Sequence, residues 1–266
     1  MRLIDTHAHL YLDQFKDDID ETIHRAISNG VEQIYLPNID STTIKSLHNL
    51  ESNYPETCIA MMGLHPCSVK ENYKEELKII HNWLLKRTYC AVGEIGIDLY
   101  WDKTYYKEQI EAFEYQINLA KDLKIPFVIH SRDSLDETID VVTKLQGGDL
   151  KGIFHCFNGN VDQGKKIIDV GFYLGIGGVL TYKNSGLAET IANIPLSSLV
   201  LETDAPYLSP VPYRGKRNES SYILDIAEKL AEVKKENVKQ IAEVTTENAE
   251  KLFIQHAKNQ KKPIIQ

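Results

Sequence analysis

Leu3-Ile4-Asp5-Thr6-His7-Ala8-His9 is a short apolar run that breaks into a His-x-His pair. Side chains alternate along a strand, so Asp5, His7 and His9 are expected on one face, with two imidazoles available to a single cation. The same event recurs down the chain. Apolar runs end on Glu94 in Ala91-Val92-Gly93-Glu94, on His130 in Phe127-Val128-Ile129-His130, on His155 in Gly152-Ile153-Phe154-His155, and on Asp204 in Leu199-Val200-Leu201-Glu202-Thr203-Asp204. A β/α barrel gathers all its strand ends on one face, where its active site is built.

Eight apolar runs read as strands: Leu3–Ile4, Gln33–Leu36, Ile59–Gly63, Cys90–Ile95, Phe127–Ile129, Gly152–Phe154, Phe172–Ile176 and Leu199–Leu201. Helical periodicity lies between them. Ile110, Phe113, Ile117 and Ala120 are spaced as one helix face, as are Ile223, Ile226, Ala227, Leu230 and Ala231. Asp133 and Ser134 are candidate N-caps after the fifth strand, and Asn184 and Ser185 after the seventh. Alternating strands and helices imply a parallel sheet. Eight units predict its closure into a TIM-type (β/α)8 barrel, with a doubly wound open sheet as the alternative. The 266 residues suit one such domain. It is expected over residues 1–258, with a frayed polar tail at 259–266. The stretch Ser209–Ser221 carries Pro210 and Pro212 and is expected to be loop.

Thirty Lys and Arg stand against 38 Asp and Glu, a net charge of -8. A broad basic field for coating nucleic acid is excluded; positive charge for an anionic polymer has to be local. The four cysteines form no C-x-x-C pair, so neither a disulfide framework nor a thiolate zinc site is expected. The opening residues are too quickly charged for a signal peptide, and no apolar run approaches the ~20 residues of a membrane span. The expected location is cytoplasmic, with no membrane role and no obligate protein partner.

Imidazole suits zinc, manganese and iron, and a carboxylate can bridge two ions. Four histidines and two carboxylates suffice for a two-metal site. Glu202 and Asp204 are two apart, so Glu202 either shares proton handling or orients a ligand from behind. Asp98 is equally a loop anchor or a catalytic group. His65 before Pro66 sits at the rim, and Asn38 and Asn158 are possible substrate contacts. Arg132, Lys183, Arg214, Lys216 and Arg217 are the basic residues near this face, and arginine reads phosphate well. Tyr100, Trp101, Tyr105 and Tyr106 either stack a base or cover the barrel rim. His24, His48, His81 and His256 lie in helical segments and are expected to be surface or packing residues.

The ordered set D-T-H-A-H-L, G-L-H-P, G-E-I-G-I-D, H-S-R-D, H-C-F-N-G, L-E-T-D-A-P-Y-L and R-G-K-R-N-E, from Asp5 to Glu219, resembles the TatD family of metal-dependent deoxyribonucleases. The aromatic after G-E-I-G-I-D comes one position later than usual, at Tyr100. Asn158 stands where Thr or Ser is common, and Ser220 where Pro is common. The resemblance implies a barrel with two divalent ions, magnesium, manganese or zinc. It implies His7, His9 and Asp204 on the first, His130 and His155 on the second, and Glu94 bridging. His65, Arg132, Arg214 and Arg217 are implied on the substrate side. The implied reaction is metal-hydroxide cleavage of DNA phosphodiesters from a 3′ end of weakly bound single strands, with Asp204 and Glu94 catalytic. The same centre can act on an ester, lactone or aminoacyl-tRNA bond; a non-enzymatic scaffold is the third alternative.

Overall fold

A computed structural model describes residues 1–259, with side chains as far as Phe253; the expected tail, Asn259 apart, lies outside the described residues. The strands are β1 (Leu3–Asp5), β2 (Val31–Leu36), β3 (Cys58–Ala60), β4 (Val92–Asp98), β5 (Phe127–Arg132), β6 (Gly152–Phe154), β7 (Tyr173–Ile176) and β8 (Leu199–Leu201). The helices are α1 (Ile19–Ser28), α2 (Ile44–Asn53), α3 (Tyr73–Lys86), α4 (Tyr106–Leu123), α5 (Leu135–Leu145), α6 (Val161–Asp169), α7 (Leu187–Ala192), α8 (Ile223–Lys234) and α9 (Val238–Asn259).

All strand pairs are parallel, in the orders β1-β2-β3 and β4-β5-β6-β7-β8. Single bridges join the two groups, Met62 to Val92 on one side and Ala8 to Ala205 on the other. The second seam is stitched by Thr6 N–H to Leu201 O at 3.1 Å, Asp204 N–H to His7 O at 2.9 Å and His9 N–H to Ala205 O at 2.7 Å. The sheet is therefore closed, a single-domain TIM-type barrel rather than an open doubly wound sheet.

One buried cluster gathers Ile4, Tyr35, Met61, Ala91, Val128, Ile153 and Val200 with Ala249, Leu252 and Phe253 of α9. Side chains from five strands and from the residues flanking β3 and β4 meet in this way only inside the barrel, and α9 plugs it, with the Phe253 ring stacked 4.2 Å from Tyr35. Alternation along three strands leads from this interior to polar groups: Val128 to His130, Ile153 to His155, Val200 to Glu202 and Asp204. On β1 and β4 the pairing register shifts between Leu3 and Ile4 and between Val92 and Ile95. The β4 shift breaks strict alternation, so Glu94 lies three residues beyond Ala91; His7, three beyond Ile4, follows the end of β1 at Asp5.

The expected helix faces are those of α4 and α8, and Phe113, Ile117, Ile226 and Leu230 are fully buried on them. Strand limits differ. β4 and β5 run past their apolar residues together, pairing Gly96 with His130 and Asp98 with Arg132. Backbone pairing is indifferent to side-chain polarity, so a change from apolar to polar does not end a strand. Gly96 is needed here, because a Cβ would stand 2.0 Å from His130 O. The cap of α7 is Gly186, in place of Asn184 or Ser185, and Ser185 Oγ accepts the Leu187 N–H from just outside. Cys156 adopts a left-handed turn at φ 46° just after β6.

Candidate metal centre

Glu94 is buried, and its two carboxylate oxygens face two different groups of donors. Oε2 lies 3.1 Å from His7 Nε2 and 3.4 Å from His9 Nε2. Those nitrogens are 3.2 Å apart, and each is 3.8 Å from Asp204 Oδ1. Oε1 lies 2.8 Å from His130 Nδ1, 2.9 Å from His155 Nε2 and 3.5 Å from His65 Nε2. Ligands at ~2.0–2.2 Å from one tetrahedral ion stand about 3.4 Å apart, so both groups have the spacing of a coordination shell.

For His9, His130 and His155 the group behind the ring decides which nitrogen faces inward as a lone pair; His7 Nδ1 is buried without a partner. Tyr11 O–H donates to Pro37 O, which leaves its oxygen to accept from His9 Nδ1 at 2.9 Å and frees His9 Nε2. Asp98 Oδ2 accepts from His130 Nε2 at 2.8 Å, which frees Nδ1. Glu202 Oε1 lies 3.4 Å from His155 Nδ1 and accepts the Cys156 N–H at 2.5 Å. This is the carboxylate-behind-histidine arrangement that fixes tautomer and ring orientation. Lone pairs and carboxylate oxygens then face one another at contact distance, and Glu94 Oε2 makes no hydrogen bond. A cation between converging acceptors relieves their repulsion, so these residues fit divalent metal.

His65 is the exception. Its Nδ1 accepts the Cys67 N–H at 3.0 Å, so in the neutral ring the proton is on Nε2. It sits within ligand range as a hydrogen-bond donor, 3.3 Å from His130 Nδ1.

Electrostatics follow the same geometry. Burial alone would raise the Glu94 carboxyl, yet His155, His7 and His65 hold it well below the usual range. Burial opposes charge on His155, but Glu94 and Glu202 raise it well above an ordinary imidazole. Burial, with His155 beside it, pushes His7 far down. Burial lifts Asp204 to about 6, against the pull of His155 and His9.

The fold places each group deliberately. Asp204 holds φ at 57°, a left-handed value that aspartate tolerates better than most residues. Room for Glu202 comes from β7: a Cβ on Gly175 would stand 2.2 Å from Glu202 Oε2. Asp5 is used across the barrel seam, accepting from Thr203 N–H at 2.9 Å and Thr203 O–H at 2.6 Å, and burial raises its carboxyl to about 7. Asn38 is likewise structural; its Nδ2 donates to Gly63 O at 2.9 Å and its backbone pairs with Gly93 and Glu94.

The basic rim differs from expectation at one residue. Arg217 donates to Asp18 Oδ1 and Oδ2 at 2.6 and 2.7 Å and to Gln14 O at 2.8 Å, and lies over Phe15. Its guanidinium ties the loop after β8 to the start of α1. Arg132 and Arg214 are exposed and lie on aromatic faces, 3.8 Å from the Tyr100 ring and 4.3 Å from Tyr182. A cleft of about 830 Å³ opens away from the donors, between α1 and α8, and its Arg25 is paired with Glu219.

Sequence reasoning did not single out Tyr11. The signal was its spacing, two residues beyond His9 on the same run. Among the described residues no helix is long and apolar enough to cross a membrane.

The family described as TatD related DNase matches residues 4–254. An uncharacterized metal-dependent hydrolase, YabD of Bacillus subtilis, is 38% identical over 252 residues, covering 94% of this chain and 98% of the relative. YcfH of Escherichia coli, also an uncharacterized metal-dependent hydrolase, is 30% identical over 258 residues, covering 95% and 96%. The crystal structure of YjjV, a TatD homolog from Escherichia coli, superposes with a TM-score of 0.90 at 30% identity, covering 95% of this chain and 98% of that one. A TatD family hydrolase from Entamoeba histolytica shares the fold at a TM-score of 0.82 and 22% identity.

Proposed function

The chain belongs to the TatD-related DNase family, and we propose that it is a two-metal hydrolase that cleaves DNA phosphodiesters from the 3′ end of single strands. The observation that carries this reading is the divided carboxylate of Glu94, with one oxygen toward His7, His9 and Asp204 and the other toward His130 and His155. Four donors on one side and three on the other suit a pair of divalent ions, with places left for water and phosphate.

Bound divalent ions would lower the pKa of an attacking water and offset the charge on the non-bridging phosphate oxygens. The chain's own groups do the rest. Asp204 is partly open to solvent and stands beside His7 and His9 at the donor cluster, which places a carboxylate oxygen to accept the proton of the attacking water. His65 Nε2–H points into the site and donates to a phosphate oxygen. Asp98 and Glu202 keep His130 and His155 in their ligating orientation. Arg132 and Arg214 supply local positive charge on a chain of net charge -8, so binding is weak and salt-sensitive. Magnesium, manganese and zinc are all compatible with this donor set; imidazoles favour manganese and zinc. The four cysteines are free thiols, in keeping with a cytoplasmic location.

The test is digestion of 5′-labelled single-stranded DNA with magnesium, manganese or zinc, or with EDTA, by wild type, His130→Ala and Asp204→Asn. A metal-dependent ladder receding from the 3′ end, lost in both variants, supports the reading. Rapid turnover of a lactone or carboxylic ester with DNA left uncut overturns it.

A further inference from the structure

Tyr100 and Trp101 are 52% and 69% exposed, yet the turn that carries them is tied directly to the metal donors. Asp98 is buried at the end of β4. Its Oδ2 accepts from His130 Nε2 at 2.8 Å, while its Oδ1 accepts the backbone N–H groups of Tyr100 at 3.0 Å and Trp101 at 3.2 Å. Gln109 locks the same point from α4, accepting the Asp98 N–H at 2.8 Å and donating to Asp98 O at 3.1 Å. One carboxylate thus fixes both a metal-facing imidazole and an aromatic turn.

Arg132 completes the arrangement. It pairs with Asp98 across β4 and β5 and lies two residues beyond His130, so its side chain leaves the same strand face roughly 6.6 Å further along. Its guanidinium is 3.8 Å from the Tyr100 ring centroid and 5.2 Å from that of Trp101. The two rings meet edge to face, at 87° and 4.9 Å. Tyr100 is therefore braced by a cation, and Trp101 presents an indole to solvent beside a positive charge.

We propose that Trp101, braced by Tyr100 and Arg132, is a stacking platform for an unpaired nucleobase next to the phosphodiester held at the metal centre. It rests on the DNA phosphodiesterase reading and names the part of the substrate that the metal centre does not touch. A π-face with an adjacent guanidinium suits a base and its backbone charge together. Inside a duplex both faces of each base are already stacked, so the platform favours unpaired bases.

The chain has two tryptophans, and Trp83 lies on α3 against His48 and Lys86. In a full-length Trp83→Phe protein loaded with metal, Trp101 alone reports by fluorescence. A phosphorothioate-linked oligo(dT), which resists cleavage, is expected to quench it; an abasic strand of the same length is not. Trp101→Ala is expected to raise KM on ordinary oligo(dT) about tenfold with kcat little changed. Trp101→Phe should recover most of the loss. Equal quenching by the abasic strand, or an unchanged KM in Trp101→Ala, overturns the platform. If wild type leaves every oligonucleotide uncut, the nuclease reading fails on its own: base-dependent quenching in that sample keeps the platform, and no quenching removes both.

Discussion

Asp98 Oδ2 stands 2.8 Å from His130 Nε2, on the side of the ring opposite Glu94. The imidazole is thereby held between two carboxylates, and the Asp98 carboxyl, which burial would raise, is held below the usual range by His130. Replacing Asp98 by Asn keeps the shape but removes the charge behind the ring. Metal affinity is expected to fall by roughly 10–100-fold, with the fold intact. Calorimetric titration with manganese, alongside circular dichroism, checks this; unchanged affinity would show that Asp98 only anchors the turn.

Gly175 and Glu202 are coupled by space. A Cβ at 175 would stand 2.2 Å from Glu202 Oε2 and 3.1 Å from the His155 Cα. Gly175→Ala is expected to displace Glu202, release His155 Nδ1 and the Cys156 N–H, and destabilise the protein by about 1–3 kcal/mol through overpacking. A urea midpoint and a hydrolysis rate measured together should both fall. Glu202→Gln, which keeps the volume, should lower the rate far more than the midpoint.

Metal removal should be visible in stability as well as rate. The site brings Glu94, Asp204 and four imidazoles together with most of their inward atoms acting as acceptors. An ion bound by the native state alone stabilises it by about 2.7 kcal/mol at a hundred times its dissociation constant. Chelation is expected to lower Tm, and added manganese to restore it in a concentration-dependent way. A Tm indifferent to both would count against a native-state metal.

Arg217 and Asp18 give a pH-dependent contribution away from the metal-facing donors. Arg217 holds the Asp18 carboxyl at about 2, below the ordinary ~3.9 of an unfolded chain. A depressed folded-state pKa contributes stability that is complete above the unfolded value and lost as pH falls through the folded one. Arg217→Ala should therefore lower Tm by a constant, modest amount from pH 7 down to about 4, consistent with a pair worth at most ~1 kcal/mol in solvent. Below about pH 4 the gap between wild type and variant should narrow. A gap that widens on acidification would refute the assignment. Hydrolysis of a small phosphodiester should be little affected, because the guanidinium is turned to Asp18 and not to the cluster around Glu94.

Much of this protein was legible in its residues alone. Chemistry-bearing side chains at the ends of apolar runs marked His7, His9, Glu94, His130, His155 and Asp204, because strand and helix periodicity is a local property and a barrel converts chain order into one shared face. Other features depended on groups distant in sequence. Asp98 as the brace of His130 requires β4 and β5 to pair past their apolar stretches. The engagement of the Arg217 guanidinium follows from Asp18, 199 residues away. Periodicity records which way a side chain points along its own segment. Which partner meets it, and which of its atoms is left free for a metal or a phosphate, is set by the closure of the barrel and the hydrogen bonds made across it.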